Sequence, residues 1–411
     1  MYVACLVIPR LPGHVWLLQA GVLVNFLGNG MVAPFLVIYL HFGRGIPVAV
    51  AGTAVAVGGI TAVTSGLAAG ALADRLGPRN ILVAAMSCNA VAYLLYTQVT
   101  EPWQAFAVGL LVGVGTGAYG PSSQNLIASM VHTEQRQAAF AQNRVTSVAG
   151  LGLGGAIGGV LASHGLDGYL WLLKLDAATF LAFAALTLLL PSGRVVIATP
   201  RAGGYRAVIR DRAFVTLVGV NIMMVAAGIA PMLVLLPAFA KSQSHVGEAA
   251  IGAIYALSTL TIVAAQLPIT HAMRKVGRMR VLRLGALAWV GCWVTCLWAG
   301  SWLGGSAVVA AFAAAAVVYA FGECCYTSVM LPATIALAPD GLRGRYLGAM
   351  ALAWQAGFLI GPSVGAAALG AAPLALPLIC VAGCACAAAG TFLVDRRLEP
   401  ERRSSLAVAA T

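Results

Sequence analysis

Long apolar stretches alternate with short polar breaks along nearly the whole chain. Each stretch is bounded by charged residues, glycine or proline. An α-helix of about 20 apolar residues is long enough to cross the hydrocarbon core of a bilayer. The pattern therefore predicts twelve transmembrane helices, at residues 15–40, 46–72, 81–100, 103–131, 138–162, 169–190, 213–240, 249–270, 281–300, 306–338, 346–369 and 372–394.

Composition excludes a water-soluble protein. Of the 411 residues, 61% are hydrophobic and only 9% are charged, which leaves too little polar surface for a globular protein in water. In lipid, every backbone N–H and C=O must be paired internally, and helices achieve this within one segment. The fold class that follows is an all-α polytopic membrane protein.

The net charge of +12 is distributed unevenly over the predicted loops. If successive loops lie on opposite sides, all but three of the 24 Lys and Arg residues fall on one side, the exceptions being Arg44, Lys174 and Lys241. Basic loops mark the cytoplasmic side, so both termini are expected there. The distribution favours anionic lipid headgroups over nucleic acid as the partners of this charge.

A polar stretch at residues 191–212 divides the chain into two related halves. Ala33-Pro34 in the first apolar run returns as Ala230-Pro231 in the seventh. Three glycines in the fifth run are matched in the eleventh, namely Gly150, Gly154 and Gly158 by Gly357, Gly361 and Gly365. This repeat predicts a six-helix bundle at 1–190, a cytoplasmic linker at 191–212, a second bundle at 213–394 and a cytoplasmic tail at 395–411.

One loop carries a family resemblance. Between the second and third runs stands Gly70-Ala-Leu-Ala-Asp74-Arg75-Leu-Gly77-Pro-Arg79, which resembles the corresponding loop of major facilitator superfamily transporters. The resemblance implies two pseudo-symmetric six-helix bundles with substrate bound between them near the midplane. It also implies that Gly70, Asp74, Arg75, Gly77 and Arg79 gate one access state. The alternative is a basic turn that only sets topology, with Asp74 as a helix cap.

The glycines of the fifth run narrow the resemblance. Gly150-Leu-Gly152-Leu-Gly154-Gly155-Ala-Ile-Gly158-Gly159 resembles the signature of bacterial drug:proton antiporters, except that Gly155 replaces a proline. The eleventh run keeps a proline, Pro362, between Gly361 and Gly365. These glycines either help to occlude the substrate or only pack helices together. Small residues spaced by four let helices approach closely, which favours neither alternative over the other.

Proton coupling needs an ionisable group inside the membrane. Members of the family often carry an arginine in the fourth helix, but Gly109 stands at that position here. Glu323, well inside the tenth run, is the leading candidate, because an intramembrane ionisable residue is a functional hypothesis by default. Asp176 and Arg144 are further candidates. The alternative for Glu323 is a hydrogen bond that fixes helix packing.

Several polar and aromatic residues fall at the depth expected of a substrate cavity. Together they predict a mostly apolar pocket with a few polar groups, suited to amphiphilic compounds. Any one of them could equally serve an interhelical hydrogen bond. These candidates are Asn25, Asn29, Tyr119, Ser123, Asn143, Thr146, Asn221, Tyr319, Trp354 and Gln355.

The sequence argues against several other classes of function. None of the three lysines follows glycine, so no phosphate-binding loop for ATP can be drawn, and no cysteine or histidine cluster has metal-ligand spacing. We therefore expect that the protein is not an enzyme and uses no nucleotide, metal or cofactor. We expect a proton gradient to drive transport.

The resemblance favours efflux of a lipophilic or amphiphilic small molecule by a monomer in the bacterial inner membrane. Nutrient import and a non-transporting receptor or scaffold remain the alternatives.

Overall fold

The computed structural model describes residues 11–132, 135–192, 205–273, 276–339 and 342–397, which are helical and contain no strand. For a few helical residues, Gly70 and Asp74 among them, only the backbone is described. Most of the predicted linker and tail lies outside the described residues. The long helices are α1 (Gly13–Val32), α2 (Val48–Leu76), α3 (Pro78–Tyr96), α4 (Pro102–Met130), α5 (Arg136–Ala162), α6 (Gly165–Leu188), α7 (Arg212–Met224), α8 (Glu248–Ala272), α9 (Arg278–Trp302), α10 (Gly305–Leu337), α11 (Arg343–Ala371) and α12 (Ala375–Arg397).

Successive helices run in opposite directions, so their ends form two faces. Arg79 at the start of α3 donates to the Leu190 carbonyl just after α6, at 2.9 Å. We call this end, where α1 begins and α12 ends, the basic face. At the other end, the opposite face, the Tyr39 hydroxyl donates to the carbonyl of Tyr96, the last residue of α3.

The helix contacts repeat from the first six helices to the second six. In the first half α1 packs on α5 and α6, α2 on α4, and α3 on α4 and α6. The second half repeats each pairing, with α7 on α11 and α12, α8 on α10, and α9 on α10 and α12. The two halves meet where α2 packs against α11 and α5 against α8, which are again equivalent contacts. This is the internal repeat expected from the sequence.

The surface of the bundle suits a membrane. Eleven helical segments among the described residues are long and apolar enough to cross a bilayer. The twelfth helix, α3, is long enough but less apolar, because it includes Arg79, Asn80 and Asn89, and it packs inside the first half against α4 and α6. Exposed tryptophans Trp103, Trp171 and Trp302 lie near the opposite face, where an aromatic belt meets the lipid headgroups.

The repeated Ala-Pro pair lies at an irregular stretch of one helix in each half. The helical path of α1 is interrupted at Ala33, Pro34 and Phe35 and ends in a π-helical turn, Tyr39–Gly43. The path of α7 passes through the π-helical turn Val225–Ile229 just before Ala230-Pro231. Proline lacks the N–H of a regular helix and clashes with the preceding turn, which explains irregularity at both places.

The glycines of α5 form two stripes that face different neighbours. Gly150, Gly154 and Gly158 lie against the backbone of α1 in the same half, and a methyl group at Gly150 would come within 2.9 Å of the Leu23 carbonyl oxygen. Gly155 and Gly159 face α8 in the other half, where a methyl at Gly159 would lie 2.8 Å from the Cα of Gly252. Gly357, Gly361 and Gly365 of α11 lie against the α7 region, which we define as α7 with the helical turns that follow it, residues 212–235. The candidate glycines therefore pack within each half, and their neighbours join the halves.

Candidate functional site

The central site is a cleft between the two halves, halfway along the helices. A cavity with about 190 Å³ accessible to the centre of a water molecule is lined by α1, α5, the α7 region, α8, α10 and α11. A second cavity of about 360 Å³ continues from it toward the basic face along α10 and α11. Arg144, Ile229, Glu323 and Trp354 line both cavities. The cleft therefore extends from the middle of the protein toward the basic face.

An ion pair between the two halves lies where the cavities meet. The Arg144 Nη2 atom of α5 donates to Glu323 Oε1 of α10 at 3.2 Å. The side chain of Arg144 is 59% exposed, whereas that of Glu323 is 17% exposed. The pair joins two of the candidate coupling residues, which the sequence left 179 positions apart.

Aromatic side chains form the wall on the side of Glu323. Trp354 packs against Tyr326 at 6.0 Å and against Phe358 at 5.3 Å between ring centroids. Tyr319, one turn before Glu323, stacks on the buried ring of Trp289 at 5.8 Å. The Tyr326 hydroxyl donates to Asn221 Oδ1 at 2.7 Å. All of these residues belong to the second half, so the cavity has one aromatic side.

A chain of polar side chains links α10 to α8 just below Glu323, toward the basic face. Thr327 donates to Gln266 Oε1 at 3.0 Å and to the Glu323 carbonyl at 2.8 Å. The Gln266 amide donates to Ser328 at 3.1 Å, and Ser328 shares a hydrogen bond with Thr270 at 2.7 Å. These bonds fix the turn of α10 that carries Glu323. Sequence reasoning named none of Gln266, Thr270 and Ser328, although the spacing of four between Gln266 and Thr270 on α8 was a usable signal.

A second polar cluster joins the halves at the opposite face. Lys241 and Glu248 of the second half form an ion pair with half-buried side chains. Tyr169 at the start of α6 donates to Glu248 Oε1 at 2.8 Å and lies 3.1 Å from Lys241 Nζ. Lys241 also lies 4.8 Å from the ring centroid of Phe42 in the first half. We call these four residues the outer cluster.

The outer cluster lies beside the close contact of Gly159 with Gly252, so the halves are held together at the opposite face. The sequence analysis missed this cluster, although Lys241 stood out as one of three basic residues away from the basic side.

The comparisons with known proteins agree with this architecture. The Major Facilitator Superfamily model matches residues 19–247 and 218–410, which together cover most of the chain. The chain belongs to the Major Facilitator Superfamily. It is therefore a multi-pass membrane transporter.

Two relatives of known name are similar in sequence. A Na⁺, Li⁺, K⁺/H⁺ antiporter of Planococcus maritimus is 26% identical over 370 residues, covering 81% of this chain and 84% of that protein. Multidrug resistance protein MdtH of Yersinia pestis (strain Pestoides F) is 28% identical over 208 residues, covering 50% of this chain and 51% of that protein. The resemblance to the drug:proton antiporters of the superfamily is thus confirmed.

Solved structures show the same fold at low sequence identity. A mutant of the nucleoside transporter NupG superposes with a TM-score of 0.78 and 14% identity, covering 94% of this chain and 100% of that one. A POT family transporter in complex with 5-aminolevulinic acid has a TM-score of 0.76 and 14% identity, covering 94% and 96%. These similarities establish the superfamily fold and leave the substrate open.

The superfamily loop at the basic face has the geometry of a tight turn. Gly77 ends α2 with a φ of 82°, a conformation that favours glycine, and Pro78 begins α3. Arg79 is held by the Leu190 carbonyl, and Arg75 is exposed. The contacts of Gly70 and Asp74 lie outside the described side chains, so the gating role of this loop stays a prediction.

The missing superfamily arginine has a structural explanation. Gly109 of α4 is buried and lies directly against the Ala54 carbonyl of α2. Any side chain at this position would collide with that backbone. A charged group for coupling therefore has to come from elsewhere in the cavity.

Some of the predicted cavity residues line the described cavities, and the others lie elsewhere in the structure. Asn221, Tyr319 and Trp354 line the described cavities. Asn29 donates to the Asn25 carbonyl at 3.3 Å, and Tyr119 packs between Phe26 and Phe183 inside the first half. The remaining candidates away from the described cavities are Ser123, Asn143, Thr146 and Gln355. Sequence spacing gave their depth in the membrane but not the direction of each face.

Asp176 lies in the core of the first half, away from the cleft. Its side chain is fully buried, and Thr179 donates to Oδ1 at 3.0 Å. Its Oδ2 atom has no hydrogen-bond partner among the described residues. No group of three or more His, Cys, Asp or Glu side chains that could hold a metal occurs in the part of the chain that the structure describes.

Proposed function

We propose that the protein exports an amphiphilic small molecule from the bacterial cytoplasm in exchange for protons. The observation that carries this proposal is the ion pair between Arg144 and Glu323, which joins the two halves inside an aromatic cavity. Alternating access requires the halves to rock about such a central site. An ionisable pair at this position lets protonation change how the halves are held together.

The composition of the cavity supports an amphiphilic substrate. Tyr255, Tyr319, Trp354 and Phe358 offer ring surface, and Ser258 with the ion pair offers a few polar contacts. Such a site binds a partly apolar ligand and orients it through its polar group. Similarity to MdtH over about half of each chain agrees with this substrate class.

The charge distribution supports the orientation. The basic face carries most of the described Arg residues, and we assign it to the cytoplasm. The cleft then opens to the cytoplasm while the outer cluster closes the outside. This is the arrangement in which an exporter takes up its substrate from the cytoplasm. We place both termini there and the chain in the inner membrane, and we assign it no enzymatic activity.

The coupling role of Glu323 can be tested in inverted membrane vesicles, where export appears as uptake. Glu323→Gln should abolish uptake of an amphiphilic fluorescent dye driven by an acidic interior, because the amide cannot carry a proton. Exchange of the dye at saturating concentration should persist, since binding and rocking need no change of charge. Asp167→Asn, at an exposed carboxylate of the opposite face, is the matched control.

Undiminished gradient-driven uptake by Glu323→Gln would contradict the coupling role. Absence of both uptake and exchange by the wild-type protein, across a panel of amphiphiles, would favour a receptor or scaffold. Accumulation in right-side-out vesicles would favour an importer.

A second candidate is exchange of alkali cations for protons, which the Planococcus maritimus relative favours because it covers most of both chains. Alkali cations need several oxygen ligands, whereas this cavity offers one carboxylate paired with arginine among mostly apolar walls. The same vesicles separate the two functions. Proton release on adding Na⁺ or K⁺ without any dye would support cation exchange.

A further inference from the structure

We propose that Arg144 acts as an internal substitute for the substrate: in the empty protein its guanidinium occupies, at Glu323, the place that the positively charged group of a lipophilic cation takes. This proposal rests on the proposed function and names the substrate class of the same site. It assigns Arg144 as a competitor of the substrate rather than as one of its ligands.

The unequal exposure of the pair decides which partner can leave. Glu323 is only 17% exposed and stands against the aromatic wall, so its charge needs a partner at all times. The side chain of Arg144 is 59% exposed in the cleft, so water can solvate it once it lets go. Replacing Arg144 by another cation beside Glu323 therefore costs little free energy, whereas leaving the ionised Glu323 without a counter-charge costs much more.

The contact geometry also favours exchange. Arg144 reaches Glu323 through one nitrogen at 3.2 Å, whereas the strong arginine–carboxylate arrangement uses two parallel hydrogen bonds. A single hydrogen bond from a solvent-exposed arginine is weaker than that two-bond arrangement. The fixed hydrogen bonds around Glu323 involve Thr327 and Gln266 instead, and these keep its turn of α10 in place without Arg144.

The surrounding rings complete a site for an organic cation. Trp354 and Tyr319 line the cavity together with Glu323, and both belong to the second half. Aromatic faces attract cations in addition to binding apolar groups. The first half contributes mainly apolar residues such as Val148 and Leu151, with Arg144 as its charged group in the cavity. The second half thus forms the binding surface, and the first half supplies the competing cation.

The exchange links occupancy to conformation. Arg144 is attached to α5 and Glu323 to α10, so their pair holds the two halves together across the cleft. A substrate cation or a proton at Glu323 neutralises the same charge without crossing the cleft. Either one therefore releases this tie, and the halves can then move relative to one another.

Two probes of the same shape and opposite charge test the proposal, namely tetraphenylphosphonium and tetraphenylborate. Binding of each is measured by titration calorimetry on the purified full-length protein at one fixed pH. Arg144→Gln and Arg144→Ala should bind tetraphenylphosphonium about threefold to tenfold more tightly than the wild type, because the competitor is gone. Both variants should bind tetraphenylborate more weakly. Lys174→Ala, which removes an exposed positive charge far from the cavity, should change neither affinity.

A double-mutant cycle makes the test specific to the pair. Glu323→Gln should weaken tetraphenylphosphonium binding, and in that background Arg144→Gln should no longer tighten it. Unchanged or weaker tetraphenylphosphonium binding by Arg144→Gln and Arg144→Ala would overturn the proposal. Tighter binding of tetraphenylborate than of tetraphenylphosphonium by the wild type would also overturn it, in favour of an anionic substrate held by Arg144.

Failure of this inference is distinguishable from failure of the proposed function. If wild-type vesicles perform gradient-driven transport while the Arg144 variants bind tetraphenylphosphonium no better, only the role of Arg144 is lost. If wild-type vesicles transport no amphiphile at all, the proposed function itself is lost.

Discussion

At the scale of single residues, the intramembrane acids Glu323 and Asp176 differ in their surroundings. Glu323 faces the cleft and has a cationic partner, whereas Asp176 is enclosed in the first half, where a methyl group at Gly28 would press on its carboxylate. An ionised carboxylate without a counter-charge is costly in such a core. We therefore propose a packing role for Asp176, in keeping with the proposed coupling role of Glu323.

This assignment predicts that Asp176→Asn keeps gradient-driven transport. The amide oxygen can still accept the hydrogen bond from Thr179 at the same position, and the substitution removes no charge from the cleft. Transport in inverted vesicles and the thermal denaturation midpoint are the measurements, with Glu323→Gln as the variant expected to fail. Loss of gradient-driven transport with exchange retained would move the coupling site to Asp176.

At the scale of helices, the contact between α5 and α8 holds the halves together near the opposite face. Gly155 and Gly159 on one helix meet Gly252 on the other. Glycine is required here because the backbones touch: a methyl at Gly252 would lie 2.5 Å from the Gly155 carbonyl oxygen and 2.7 Å from the Gly159 Cα. The stripe that faces α1 has no such role between the halves.

Gly252→Ala is therefore expected to open the opposite face. Overpacking of this kind costs about 1–3 kcal/mol, enough to shift the populations of two conformers about 5-fold to 150-fold. The shift is measured as a longer distance between spin labels at Ser163 and Ser242, after replacement of the native cysteines. Gly219→Ala, where a methyl meets nothing within 4 Å, should leave the distance unchanged. An unchanged distance in Gly252→Ala would contradict this prediction and show that the two helices accommodate the methyl group without opening the opposite face.

At the scale of the whole molecule, the described conformation has a closed opposite face and a cleft that continues toward the basic face. The outer cluster stabilises this state through Tyr169, whose hydroxyl bridges the first half to Glu248 and Lys241. Tyr169→Phe should lower the stability of this closed state by about 1 kcal/mol. The fraction of protein open at that face should then rise about fivefold.

The same spin-label pair reports this change. Tyr346→Phe is the matched control, because Tyr346 donates to the Asp211 carboxylate at 2.9 Å within one half. It should lower stability without moving the label distance. Equal effects of the two substitutions would show that the Tyr169 bond is only structural.

The orientation of the molecule gives a further prediction. Both termini should be cytoplasmic, because nearly all basic residues lie in loops of that face. A cysteine introduced at Thr411 should resist a membrane-impermeant thiol reagent in intact cells and react in inverted vesicles. Labelling in intact cells would contradict the placement of both termini in the cytoplasm, through either an inverted orientation or an odd number of spans.

The sequence by itself determined the class, the helices and the repeat. Apolar run length indicates where a chain can cross lipid, basic loops predict its orientation, and the repeated pairs Ala33-Pro34 and Ala230-Pro231 lie at the irregular stretch of one helix in each half. These features are local, so a single chain displays them without knowledge of its neighbours. The depth of Glu323 in its helix was readable for the same reason.

Only the tertiary structure decided which residues meet. Arg144 and Glu323 are 179 positions apart, and Tyr169 and Glu248 are 79 apart, so no local period could have paired them. Helix spacing likewise left open which glycine stripe faces α1 and which faces α8, because both stripes repeat every four residues. The packing of α5 between α1 and α8 made that choice, since it placed Gly159 against Gly252 and Arg144 in the cleft.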